Sequence, residues 1–65
     1  MNKYDQMVKI KRIIESCKTL EQLHQTIPIL ERFRIMYAKS DYTSVLLCVK
    51  EMRKTWRAKS NQLTL

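Results

Sequence analysis

The residues able to do chemistry are few. The chain holds one histidine, His24, and two cysteines, Cys17 and Cys48. A nucleophilic mechanism needs a serine or cysteine with a base in hydrogen-bond reach, and none of these stands near such a base in sequence. Glu21, Glu31 and Glu51 fall in separate segments, each with a lysine or arginine close by. That placement suits surface pairing better than acid–base work. Cys17, His24 and Cys48 contain no short-spaced ligand pair of the kind that structural zinc sites use. The expectation is therefore a protein that is not an enzyme, with no metal site and no cofactor. Its thiols should be free, packed as small hydrophobes, and His24 should be an ordinary polar helix residue.

The cations are more informative. Lys and Arg number 13 against 6 Asp and Glu, for a formal net charge of +7. Between Lys50 and Lys59 there are five basic residues and a single acid, Glu51. On a helix, Lys50, Arg53, Lys54 and Arg57 fall within one sector of roughly 100°. A stripe of that kind, about 10 Å long, matches the spacing of neighbouring phosphates. The plainer alternative is a solvated helix face whose cations complement the macrodipole near the C-terminus. No zinc-finger spacing, basic-zipper array or aromatic-rich sheet accompanies the stripe, so base-specific readout is not expected.

The elements that must carry these residues follow from periodicity and punctuation. Glycine is absent, which removes glycine-dependent hairpin turns, phosphate loops and helix caps. A chain connected without glycine is most simply a set of helices joined by polar turns. Met7, Ile10, Ile14 and Cys17, with Ile13 beside them, mark one face of a first helix from about Lys3 to Cys17. Thr19 to Gln22 fits a capping box, with the Thr hydroxyl accepting from the Gln22 amide and the Gln side chain reaching back. The second helix carries Leu20, Leu23, Ile27, Leu30 and Tyr37. Pro28 interrupts it, because proline lacks a donor and crowds the carbonyl of His24. The outcome there is a kink or two separate helices either side of Thr26.

A turn at Lys39-Ser40-Asp41 lets Ser40 or Asp41 cap a third helix. Tyr42, Val45, Val49, Met52 and Trp56 then recur with helical spacing, and Leu46 widens that stripe. These observations predict an all-α fold, a small three-helix up-down-up bundle whose middle helix is kinked near Pro28. Residues 1–59 form a single helical domain and residues 60–65 a frayed C-terminal tail. Such a small domain has little core to spare.

The second helix also carries an apolar stripe at Ile29, Phe33 and Met36, on a different side from Leu20 and Ala38. A helix packed by one face does not need it, so it is either extra core or a protein-docking surface. Leu47, facing away from the Trp56 stripe, adds to the second view. Two functional readings follow. In the first, a small basic accessory protein lays the Lys50, Arg53, Lys54, Arg57 stripe on nucleic-acid backbone. In the second, an adaptor or inhibitor of the phage or mobile-element type buries Ile29, Phe33 and Met36 against a larger protein, and the cations steer encounter. A structural assembly component ranks third. The expected partner is thus an acidic macromolecule, nucleic acid or a larger protein, or a second copy of the chain. No small-molecule substrate is expected. The longest apolar run, Val45 to Val49, is far below the ~20 residues needed to span a bilayer. With no signal-like segment at the start and no disulfide pattern, the expected location is cytoplasmic, away from membranes.

Overall fold

The computed structural model describes residues 2–39 and 41–64. Four helical segments occur in the order α1 (Lys3–Ser16), α2 (Leu20–His24), α3 (Ile27–Met36) and α4 (Tyr42–Thr64). They form a small all-α bundle of three arms, with α2 and α3 as the two halves of the middle arm. The longest dimension is 37 Å, close to the length of about 35 Å expected for the 23 residues of α4. Each of the other segments packs against α4, and α1 does so most extensively.

Each break has a chemical cause. Asn2 opens α1, its side-chain oxygen accepting from the Asp5 amide at 2.9 Å. Thr19 Oγ1 accepts from the Gln22 amide at 3.1 Å, and Gln22 Oε1 accepts from the Lys18 amide at 2.8 Å. This is the expected reciprocal cap, with the return bond made one residue upstream of Thr19. Asp41 closes the N-terminus of α4: Ser44 Oγ donates to its carboxylate at 2.8 Å. That bond, with help from the Ser44 and Thr43 amides, holds the Asp41 carboxyl below its ordinary value. Ser40, the other expected cap, lies outside the described residues.

The expected bend near Pro28 takes the second of its two forms. The chain leaves the helix at Gln25 and Thr26, upstream of the proline, and Pro28 sits in the first turn of α3. At that position its missing N–H costs nothing, since first-turn donors have no helical partner anyway. The interruption also frees the Leu23 carbonyl. Thr26 donates to it twice, from its amide at 3.0 Å and its hydroxyl at 2.6 Å. The indole Nε1 of Trp56 donates to the same oxygen at 3.1 Å. The turn at Gln25 and Thr26 thereby carries the acceptor that fastens α4 to the middle arm.

The core contains Ile10, Ile14, Cys17, Leu23, Phe33, Val45, Cys48, Val49 and Met52. Met7, Ile29, Leu30, Tyr37, Trp56 and Leu63 pack around it, half-buried. Three assignments made from periodicity are corrected here. Tyr42 and Leu46 do not belong to the buried stripe of α4, being 63% and 44% exposed. Cys48 takes their place, because the extensive packing of α1 rotates the buried face by roughly 40° on the wheel. Phe33, expected on a docking stripe, is only 2% exposed and belongs to the core, its ring 4.9 Å from that of Tyr37. Helix α4 continues through residues 60–64 in place of the expected frayed tail, and Leu63 there packs against the core.

Candidate nucleic-acid interface

Helix α4 buries one side and leaves the other to solvent, and the four cations lie on the solvent side. Lys50, Arg53, Lys54 and Arg57 are all exposed. A charge is stable there for a simple reason: burying it without a partner costs several kcal/mol or more. Ion pairs among the described residues are Lys11–Glu51 at 3.9 Å and Arg34–Glu31 at 3.3 Å. Glu51 is the one acid of α4, and its carboxylate turns toward α1. Among the described residues, then, none of the four cations has a carboxylate at ion-pair distance. Asn61, one turn beyond Arg57, extends the same polar face.

Beside this face a groove of about 330 Å³ runs between α3 and α4. Its apolar lining comes from Ile27 and Leu30 on α3 and from Val49 and Trp56 on α4. Arg34 and Glu31 stand on the α3 rim, Arg53 and Arg57 on the α4 rim. Trp56 is half-buried, and the His24 imidazole stacks on it at 5.6 Å with an interplanar angle of 12°. His24 is thus more than a solvated helix residue, since it extends the indole surface. The stripe on α4 by itself reveals neither Arg34 nor the groove. A signal did exist: Ile27, Leu30 and Arg34 follow one another at helical spacing, leading from apolar floor to charged rim.

The second set of candidate residues does not stay together on a surface. Met36 is 56% exposed, Ile29 is half-buried and Phe33 lies in the core. Ile29 and Met36 line a second groove, between α1 and α3, where Ile13 joins them from α1. Ile13, expected beside the core face of the first helix, is 44% exposed. Lys9 and Arg32 flank that groove, which shares no residue with α4.

Both cysteines are free and buried. Burial pushes the Cys48 thiol above its ordinary range, and the smaller pull of Lys3 does not reverse this. Such a thiol carries little thiolate at neutral pH and is a poor nucleophile. Among the described residues no group of three or more His, Cys, Asp or Glu side chains gathers as a metal site would require. No helix in the described residues is long and apolar enough to cross a membrane.

The fold and the site together define a class, a small all-α bundle with an uncompensated cationic face. Comparison with protein-family models, with curated proteins and with solved structures finds no match to this chain.

Proposed function

We propose that this protein is a non-catalytic accessory protein of the cytoplasm that lays the cationic face of α4 on nucleic-acid backbone. One observation carries the reading. Lys50, Arg53, Lys54 and Arg57 are exposed on a single face, and none has an acidic partner among the described residues. Charges left uncompensated in a row attract a polyanion, and binding then gains from counterion release. The four are surface residues, so their role is separable from folding.

The test is a variant with Lys50, Arg53, Lys54 and Arg57 all changed to Gln. Its melting curve should stay near that of the parent, while its affinity for nucleic acid falls. Four phosphate contacts imply a log–log salt slope of about −3.6 on duplex and about −2.8 on single strands. Raising salt from about 50 to 200 mM should then weaken the parent on the order of a hundredfold, and the variant far less. A parent without affinity at moderate salt would sink the proposal.

The α1/α3 groove favours a second reading, a protein-docking surface at Ile13, Ile29 and Met36 with Lys9 and Arg32 as rim charges. Exposed Ile13 and Met36 standing together over buried Phe33 support it. Changing Ile13 and Met36 to Gln should then abolish capture of a protein partner and leave nucleic-acid binding as before.

A further inference from the structure

Resting on the nucleic-acid reading, we propose that the strand bound is single-stranded and that the α3/α4 groove takes one of its unpaired bases. A surface built only to hold backbone needs cations and no apolar cleft. Here the cationic face borders a groove whose lining includes Leu30 and the half-buried Trp56. At about 330 Å³ the groove stands at the small end of ligand-site volumes, roughly 300–1,000 Å³. That size suits a flat ring system. The bases of a duplex are paired and stacked inside the helix, so they cannot enter it, whereas an unpaired base can be splayed into such a cleft.

The chemistry of the walls agrees with that occupant. Single-strand binders combine cations that track the backbone with aromatic rings on which bases stack, and arginine planes add to the stacking. The indole of Trp56 is held in place from two sides, by its bond to the Leu23 carbonyl and by the stacked His24 ring. It therefore meets a base as a preset surface with little left to order. Arg53 and Arg57 stand at the mouth, where the phosphates flanking an inserted base would lie. The one acid on the rim, Glu31, is bonded to Arg34 at 3.3 Å, so its charge is locally balanced.

Trp56 also joins α4 to the middle arm, so the experiment varies the ligand and leaves the protein intact. A thymidine oligonucleotide, an abasic strand of the same length and a duplex of that length are each titrated at low salt. Anisotropy of a dye on each oligonucleotide reads binding, and emission of Trp56, the single tryptophan of the chain, reads contact with a base. The thymidine strand should bind about 5- to 150-fold more tightly than the abasic strand, the range for one stacked base. It should also quench the indole, and neither the abasic strand nor the duplex should. Equal affinity for the thymidine and abasic strands would overturn the base-insertion proposal while leaving the backbone reading standing. Binding of the thymidine strand without quenching would overturn it too. No binding of any of the three would remove both.

Discussion

Phe33→Ala and Met36→Ala form a matched pair, because helical spacing alone places both residues on one stripe of the middle arm. Phe33 is 2% exposed and its ring meets Tyr37 at a centroid distance of 4.9 Å. Truncating a buried phenylalanine costs about 3–5 kcal/mol, the lost transfer energy plus the cavity left behind. A 65-residue chain at about 0.05–0.15 kcal/mol per residue has roughly 3–10 kcal/mol in total. Phe33→Ala should therefore take away between a third of the stability and all of it. Met36, more than half exposed, removes little from water when folded, so its truncation should stay within about 0.5 kcal/mol of the parent. Urea unfolding followed by circular dichroism separates the two outcomes, with the midpoint as readout and the slope checking that the unfolded state is unchanged. Similar midpoints for the two variants would show that Phe33 does not anchor the core, and the packing of α3 into the bundle would be wrong.

Trp56→Phe keeps most of the apolar ring and removes the donor to Leu23, so it should cost about 0.5–1.5 kcal/mol in the same melts; no change would mean that the indole bond is not formed in solution. Asp41→Ala should lower the melting temperature at neutral pH and flatten the acid limb of the stability curve. The sign follows from a carboxyl held below its ordinary value near 3.8: its stabilisation is complete above the unfolded pKa and disappears as pH falls through the lower folded one. An acid limb unchanged in that variant would show that Asp41 does not cap α4. The two thiols should alkylate slowly in the native protein and freely in denaturant, since both are buried and Cys48 is pushed toward its protonated form. Rapid native alkylation of Cys48 would place it outside the core.

Much of this molecule was legible from residue order. The absence of glycine and the three- and four-residue apolar spacings led to helices, and Thr19 and the pair Ser40-Asp41 marked two of their starts because such side chains satisfy free amides locally. Pro28 marked the break in the middle arm for an equally local reason, its missing donor. The exposure of Lys50, Arg53, Lys54 and Arg57 was also foreseeable, since four unpaired charges have no affordable place but water. What lay beyond the sequence was the choice among apolar residues of similar size and spacing. Cys48 went in and Leu46 stayed out, Phe33 joined the core and Met36 did not, and Ile13 stood open beside a groove. A helical wheel orders side chains about one axis but carries no information on where the neighbouring axes lie, and those decide which sector is covered. For the same reason only the tertiary structure could bring the Trp56 indole to the Leu23 carbonyl, 33 residues away in sequence, and open the α3/α4 groove beside the cationic face.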